Sequence, residues 1–231
     1  MATTALSPTQ RSTVNRGRER VRTDRAELYG LLDSCLICHL GVVLDGAPVV
    51  LPTGYGRDGD TLYLHGSTGA ASLRAAAAGA PVSIAVTRVD GVVYARSVFH
   101  HSMNYASAVI HGTATVLTDP ADKLAGLRAL TEHLAPGSWD ATRPPNRREL
   151  AKTTVLALSL HEASVKVRSG PPKDEDEDVE NAAVWAGVLP LHQRWGEPEP
   201  CPLLPDDVAT PEHVTSRRAG SDDLATEIVP R

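Results

Sequence analysis

The stretch SCLICHLG places Cys35, Cys38 and His39 in the Cys-x-x-Cys-His spacing that attaches a c-type haem. That chemistry needs both sulfurs and the imidazole on one side of the chain, as a turn or a helix allows. On a strand, residues three apart point to opposite faces, so the two thiols could share neither a porphyrin nor a zinc ion. The flanking residues predict a strand, and Cys201 is remote in the sequence. This favours structural cysteines over metal, haem or thiol redox chemistry.

A second chemical candidate lies in YLHGSTGAASLRA. A strand is predicted to end at His65-Gly66, and a helix to begin at Ser67 or Thr68. The free N–H groups of a helix start, with hydroxyls beside them, form a seat for phosphate, and Arg74 would add charge. Ordinary capping by a hydroxyl residue explains the same letters, so both interpretations stay open.

Polar and ring-bearing side chains are concentrated in ARSVFHHSMNY. If this stretch is a strand, Arg96 and His100 share one face while Ser97 and His101 share the other. The adjacent histidines then diverge and no carboxylate flanks them, which argues against a metal site. Ligand-binding groups and plain surface decoration remain the two interpretations.

The fourth candidate is SVKVRSGPPKDEDED, where Lys166 and Arg168 are two apart and so point the same way on a strand. Two such cations could clamp a phosphate, or they could pair with the acidic run that follows. Trp185 offers a large flat ring close by, either for a ligand or as a core anchor.

Local signals predict the elements that must position these residues. Asp-Gly turns separate three β-rich runs into a meander, and Asp119-Pro120 begins a helix that Gly137 ends. Thr23 or Asp24 caps an earlier helix with Leu28, Leu31 and Leu32 on one side. The predicted strands are 35–44, 47–56, 60–66, 82–89, 92–101, 107–118 and 154–170, with a further short helix in 144–153.

Six or seven strands with inserted helices, and no regular βαβ alternation, predict an α+β fold built on a mainly antiparallel barrel. Residues 1–23 form a polar arm, 24–195 the domain, and 196–231 a tail whose proline, acidic and small residues predict flexibility.

Composition excludes several function classes. The net charge of −5 gives no electrostatic basis for binding nucleic acid or an anionic membrane. No apolar run approaches the roughly 20 residues that span a bilayer. The N-terminus lacks the apolar segment of a signal peptide, so we expect a cytoplasmic protein with reduced thiols.

Three long stretches occur in the order typical of one family: CHLGVVLDGAPVVLPTGYGRDGDTLYLHGSTG, VDGVVYARSVFHHSMNYASAVIHGTATVLTD and KVRSGPPKDEDEDVENAAVWAGVLPL. They resemble the flavin-nucleotide-binding branch of the pyridoxamine 5'-phosphate oxidase-related proteins, over about residues 24 to 192. The resemblance implies an FMN-binding split β-barrel that forms a homodimer with the flavin at the subunit interface.

Carried over by position, the resemblance implies that the second strand runs along the flavin and the following turn holds its phosphate and ribityl chain. A polar loop lines the same cleft, and C-terminal residues cover it, in part across the dimer. The residues implied are Thr53, Tyr55, His65, Gly66, Ser67, Ser72, Arg96, Ser97, His100, Asn104, Lys166, Arg168 and Trp185. The family commonly has Asn-Tyr-Arg-Ser where this chain has Asn104 to Ser107 with Ala106, and so lacks an arginine suited to phosphate.

The resemblance predicts an FMN-dependent oxidoreductase acting on a small molecule, in the manner of a nitroreductase or a pyridoxamine phosphate oxidase. In such a protein the flavin does the redox chemistry, so no catalytic residue is assigned, although His65 or His100 could supply a proton. The alternatives are a non-catalytic carrier or sensor of flavin or haem, and a structural dimer without cofactor. No metal site is predicted.

Overall fold

The computed structural model describes residues 5–6, 9–180 and 183–223, with side chains up to Arg217. In this part of the chain ten strands form one sheet. The strands are β1 Val21–Arg22, β2 Ile37–Leu44, β3 Ala47–Asp58, β4 Thr61–Ser67, β5 Pro81–Tyr94, β6 Ser102–Thr113, β7 Thr115–Val116, β8 Thr153–Ser159, β9 Ala163–Arg168 and β10 Gly187–Pro190. The helices are α1 Arg25–Ser34, α2 Ala71–Ala77, α3 Pro120–Leu134, α4 Ser138–Ala141, α5 Arg147–Lys152, α6 Asp176–Glu180 and α7 Glu212–Asp223.

The strands lie in the order β1-β9-β6-β5-β2-β3-β4-β8-β7, and β10 pairs with β5 outside this path. The pairs are antiparallel, and the sheet curls around an apolar core without closing. Strand β2 illustrates how one face of the sheet forms this core, since Cys38, Leu40 and Val42 point inward while the residues between them face outward. The predicted α+β class and the predicted meander of β2, β3 and β4 are confirmed.

Helix α1 forms as its sequence predicts. The Asp24 side chain accepts a hydrogen bond from the Ala26 N–H at 2.9 Å, which caps the helix start. Leu28, Leu31 and Leu32 are buried and fix the helix on the core.

Helix α3 also begins as predicted, because Asp119 accepts bonds from the N–H groups of Ala121 and Asp122 with Pro120 in the first position. It lies across β3 so closely that a Cβ built on Gly56 would be 2.5 Å from the Ala129 carbonyl oxygen. A glycine is therefore required at this crossing.

The prediction that a helix begins at Ser67 or Thr68 was wrong. Ser67 is the last residue of β4, paired with Thr153, and its hydroxyl accepts from the Gly69 N–H at 3.2 Å. The hydroxyl thus stabilises a turn, and helix α2 begins only at Ala71 without a side-chain cap.

The predicted separate strand 92–101 was also wrong. Strand β5 continues through Gly91 to Tyr94, with a bulge between Val89 and Gly91, and Val98–His100 form a 3₁₀ turn. Arg96 and His100 therefore lie on a loop, and the alternation expected of a strand does not apply to them.

The single long strand predicted for 154–170 is two strands. Strand β8 ends at Ser159 and β9 begins at Ala163, and the two pair with different neighbours, β4 and β6 respectively. The predicted helix in 144–153 is confirmed as α5, whose Asn146 and Glu149 form a capping box.

Both terminal segments contact the domain where the structure describes them. Leu6 is buried, and the Arg11 guanidinium forms an ion pair with Glu162 at 2.6 Å. In the tail, the sequence gives no prediction of helix α7, whose Arg217 guanidinium lies 4.1 Å from the centroid of the Trp195 ring.

No helix among the described residues combines the length and the apolar character needed to cross a lipid bilayer.

The crossing of α3 over β3 gives a matched pair of substitutions. Gly56→Ala is expected to lower the free energy of unfolding by about 1–3 kcal/mol or more, because its methyl group meets helix backbone. Gly54→Ala on the same strand has no atom within 4 Å of its new Cβ and is expected to stay within about 1 kcal/mol of the wild type. Chemical denaturation of both variants measures this, and equal stabilities would contradict the tight crossing.

Candidate functional site

Six of the residues singled out from the sequence lie where β5 ends and β6 begins, at the end of β9, and in the segment that follows β9. We call them the strand-end group: Arg96, Ser97, His100, Asn104, Arg168 and Trp185. Five others lie on or after β3 and β4 and form the turn group: Thr53, His65, Gly66, Ser67 and Ser72. No hydrogen bond, ion pair or ring contact among the described residues joins the two groups.

Arg96 is held by a carboxylate from the segment after β9. Its backbone N–H donates to Asp174 Oδ1 at 2.9 Å, and its Nη1 donates to Oδ2 at 2.7 Å. The Asp174 side chain is only 2% exposed. Burial alone would raise the pKa of this carboxyl, but the bonds from Arg96 outweigh it and lower the pKa below its ordinary value.

Two consecutive residues of this group each carry a buried polar atom without a partner in the described part of the chain. Arg96 Nε and Ser97 Oγ are both buried and make no hydrogen bond within the described residues. Buried polar atoms are nearly always satisfied, so such a pair marks a place where a ligand or water completes the bonding. A bound flavin carries carbonyl and hydroxyl groups of the kind that these atoms could bind.

Arg168 has a structural role. Its Nη1 donates to Asn104 Oδ1 and to the Gly170 carbonyl at 3.3 Å, and its Nη2 donates to the Pro171 carbonyl at 3.2 Å. Asn104 and Arg168 are both buried. They fix the turn that leads to Asp174, and so position the loop that carries Arg96.

Trp185 lies over the end of β5. Its ring centroid is 5.8 Å from that of Tyr94, and it packs so closely on Gly187 that a Cβ there would be 2.8 Å from the ring. The indole is nevertheless 68% exposed. An exposed ring held in one orientation is suited to stacking on a flat ligand.

The two histidines of the loop differ in their contacts. His100 Nε2 is 3.5 Å from Glu175 Oε1. His101 Nδ1 is 2.9 Å from the Ser97 carbonyl oxygen, and its ring is 5.9 Å from that of Tyr94.

The turn group surrounds the end of β4. Ser67 is exposed, the Leu73 side chain packs against Gly66, and Ser72 is buried on α2. Partial burial of the imidazole lowers the pKa of His65 below its ordinary value. The turn thus offers a neutral imidazole and hydroxyls, although Ser67 also has to hold its own turn.

Two predicted residues, Tyr55 and Lys166, do not fit the positions that the resemblance implies. Tyr55 is buried, its hydroxyl donates to the Leu32 carbonyl at 2.5 Å, and its ring packs on His133, so its side chain faces the core. Burial raises the pKa of this hydroxyl. Lys166 Nζ instead donates to the Arg16 carbonyl at 3.2 Å, away from both groups.

Ala106, the departure from the family pattern, is buried in the core and paired with Val167. An arginine side chain on this inward face would have to be accommodated inside the barrel. Ala106 thus lies on the same face of β6 as the buried Asn104, and it presents no side chain that could bind a phosphate.

The Cys-x-x-Cys-His stretch lies only in part on the predicted strand, since β2 begins at Ile37 and Cys35 follows the end of α1. Cys38 is buried in the core, where burial raises the pKa of its thiol to about 12, while His39 points outward. Cys35 precedes the strand and is half-buried. A thiol held protonated in the core is not available to a porphyrin or a metal.

Sequence reasoning does not single out three residues that contact the strand-end group, Asp174, Tyr94 and His101. Asp174 belongs to the run DEDED, which has the composition of a solvated segment, and only the return of the chain past β5 buries it. The pair His100-His101 is visible in the sequence, but the predicted strand obscures the difference between the two rings.

The chain is similar to known proteins in sequence and fold. The family model described as pyridoxamine 5'-phosphate oxidase matches residues 24–167. The flavocytochrome Anf3 from Azotobacter vinelandii is 36% identical with a TM-score of 0.86, over 92% of this chain and 98% of that one. The FAD and haem binding protein from Mycobacterium smegmatis is 42% identical with a TM-score of 0.83, over 86% and 97%.

A candidate 5-nitroimidazole antibiotic resistance protein from Bacteroides thetaiotaomicron shares the fold, with 21% identity, a TM-score of 0.55, and 64% and 86% coverage. A search of curated protein sequences found no match. The similarities confirm the split-barrel architecture expected from the sequence.

The contact between Arg96 and Asp174 predicts a pH-dependent stability. Because the folded-state pKa of Asp174 is depressed, its contribution is present above the ordinary pKa of 3.8 and is lost as the pH falls below it. Asp174→Asn is expected to lower the free energy of unfolding at pH 7, and the difference from wild type is expected to shrink below about pH 4.

Denaturation at a series of pH values measures this difference, with the exposed neighbour Asp176→Asn as the control. Equal effects of the two substitutions at pH 7 would mean that the carboxylate does not hold the Arg96 loop.

Proposed function

Because the chain belongs to the pyridoxamine 5'-phosphate oxidase family, a family of flavin-binding proteins, we propose that it is a redox protein that carries both a flavin nucleotide and a haem. One observation carries this proposal. Two relatives whose names indicate both a flavin and a haem are similar to this chain over nearly their whole length.

The extent of these matches supports the haem. The match to the family ends at residue 167, whereas the similarity to the flavocytochrome covers 92% of the chain and so includes segments on either side of residues 24–167. The segment after β9 supplies Asp174, Trp185 and β10 to the strand-end group. We therefore associate haem binding with this C-terminal addition.

For the flavin, we propose FAD as the first candidate and FMN as the second. The resemblance by motif implies FMN, but the Mycobacterium smegmatis relative, at 42% identity, is described as binding FAD. The turn group would receive the phosphates, with hydroxyls from Ser67 and Thr53. Arg96 Nε and Ser97 Oγ would donate to the isoalloxazine or ribityl oxygens, which would satisfy both buried atoms.

When bound, the flavin supplies hydride and single-electron transfer and the haem supplies single-electron transfer. The chain itself would bind and orient these cofactors. Trp185 offers a ring on which a flat cofactor can stack, and Asp174 keeps the Arg96 guanidinium in place. The small-molecule substrate belongs to a class that accepts or donates electrons through a flavin, such as a nitro-aromatic compound, a quinone or pyridoxamine phosphate.

We further propose a homodimer with the flavin between the subunits. The path from β6 to β4 crosses four strand spacings of about 4.8 Å each, so the strand-end and turn groups of one chain are well separated along the sheet. A second copy would bring its strand-end group to the turn group of the first. The outward face of β2 and β3, with Ile37, Val43 and Val50 exposed, is suited to burial in such a contact.

We place the protein in the cytoplasm, since its three cysteines form no disulfide and a reducing compartment keeps thiols in this state.

Cofactor content tests the central proposal. The purified full-length protein is expected to contain flavin and haem in similar amounts, both released by denaturation because neither is attached to a thiol. Visible spectroscopy, pyridine haemochrome analysis and mass spectrometry of the released flavin measure this and separate FAD from FMN. A colourless protein that takes up neither cofactor on titration would contradict the proposal.

If both cofactors are present, anaerobic reduction by a nicotinamide followed by a panel of electron acceptors distinguishes an oxidoreductase from a carrier. Turnover supports the enzyme. Reduction without turnover supports the alternative of a non-catalytic carrier or sensor.

A mixed dimer tests whether two chains build one flavin site. Ser67→Trp, which blocks the turn group, and Arg96→Ala, which removes the loop cation, are each expected to abolish most flavin binding. Co-expression with two different tags is expected to yield a heterodimer that holds about one flavin, because one of its two sites then contains neither substitution.

The exposed cation Lys173 provides a control, because it is next to Asp174, the partner of Arg96, and Lys173→Ala is expected to leave the flavin content unchanged. A heterodimer without flavin would show that both groups act within one chain. A homodimer of either variant that keeps its flavin would show that the substituted group does not bind the cofactor.

A further inference from the structure

Three neighbouring strand ends expose an apolar surface. The register pairs Val92 of β5 with Met103 of β6 on one side and with Leu189 of β10 on the other. These three side chains form a row across the sheet and are 42%, 49% and 57% exposed respectively. Apolar side chains lined up and open to solvent are unusual unless another molecule covers them.

A second row lies beside the first. Tyr94 is paired with Gly187 of β10, and the Trp185 ring folds back over that glycine. On the other side of Tyr94 is the ring of His101, at 5.9 Å between centroids. The two rows together make a flat apolar surface with one imidazole at its edge, which we call the ring face. Val98 and Phe99, on the adjoining turn, are almost fully exposed.

His101 is oriented as a metal ligand is. A carbonyl oxygen only accepts hydrogen bonds, so the 2.9 Å contact with the Ser97 carbonyl places the proton on Nδ1. The lone pair of the neutral ring is then on Nε2. Metal-bound histidines almost always use their second nitrogen in this way, because the bond fixes both the ring orientation and the tautomer.

The other histidine of the loop lacks this arrangement, since His100 Nε2 faces the carboxylate of Glu175 at 3.5 Å. His39 is also exposed and lies near Ile37 and Pro52, but no hydrogen bond within the described residues fixes its ring and no aromatic side chain stacks beside it.

We propose that the ring face binds the haem and that His101 Nε2 is an axial ligand of its iron. This rests on the haem binding proposed above and names the site for it. The porphyrin is a flat apolar disc that matches the exposed rows in shape and chemistry, and the iron requires a neutral imidazole nitrogen within reach of that disc. The Ser97 carbonyl positions the ligand, which gives the loop between β5 and β6 a role for haem as well as for flavin.

Haem titration of the full-length protein tests this site. His101→Ala is expected to weaken haemin binding by about 10- to 100-fold or more and to shift the Soret band. His101→Gly is expected to lose the wild-type spectrum and to regain it when free imidazole is added. His161→Ala, an exposed histidine in the turn between β8 and β9, is expected to match the wild type.

The outcomes separate this inference from the proposed function. Wild-type protein that binds haem while His101→Ala and His101→Gly keep its spectrum and affinity would overturn the assignment of His101 but leave haem binding intact. Loss of haem in His39→Ala, with His101→Ala unaffected, would move the site to the face of β2. Wild-type protein that takes up flavin but no haemin would remove the haem from the proposed function itself.

Flavin content and far-UV circular dichroism of each variant serve as folding controls. A variant that loses haem but keeps flavin and secondary structure has lost the iron ligand alone, which supports the assignment. Imidazole rescue of His101→Gly gives a second readout, because a merely structural histidine would not be replaced by a small free ligand.

Discussion

Strand β5 extends well beyond the end of its neighbour β2, and the arrangement of the strand-end group depends on this. It pairs with β6 from Pro81 to Val93 along one edge, but on the other edge β2 covers only Ser83 to Ala85. Buried backbone N–H and C=O groups need partners, so the uncovered stretch from Gly91 to Tyr94 requires another strand. β10 provides it, from a part of the chain almost 100 residues away.

The closeness of that pairing has consequences for the side chains. A Cβ at Gly91 would be 2.8 Å from the Leu189 carbonyl oxygen, so a glycine is needed inside β5 where β10 approaches. The bulge at the same place changes which residues face outward, and it brings Val92 and Tyr94 to the exposed side. The chain reaches β10 through a turn fixed by Arg168 and through Asp174, which holds Arg96. The pairing of β10 with the end of β5 thus brings together the Tyr94 and Trp185 rings, the Arg96–Asp174 ion pair and the loop that carries Arg96.

Among the described residues two outward faces are apolar, one on β2 and β3 and one on the ends of β5, β6 and β10. Their chemistry differs. The first carries aliphatic residues such as Val43 and Val50, which suit contact with another protein surface. The second carries Tyr94, Trp185 and an oriented imidazole, which suit a flat cofactor. If a second subunit covers the face of β2 and β3 and a prosthetic group covers the other, neither apolar face is in contact with water.

The sequence by itself determined the local structure: the capped starts of α1 and α3, the Asp-Gly meander, the strand position of Cys38 and, through three ordered motifs, the family and the split barrel. These depend on residues close in the chain, where capping, turn chemistry and alternation act directly. The sequence could not tell that Ser67 holds a turn, that β5 runs on through Gly91, or that 154–170 folds back as two strands, because partner strands decide these points. It also could not assign Tyr55 to the core, Asp174 to Arg96 or the proton of His101 to Nδ1. Each of those depends on a contact with a residue outside its own local segment or on the turn that the loop adopts, and only the tertiary structure supplies it.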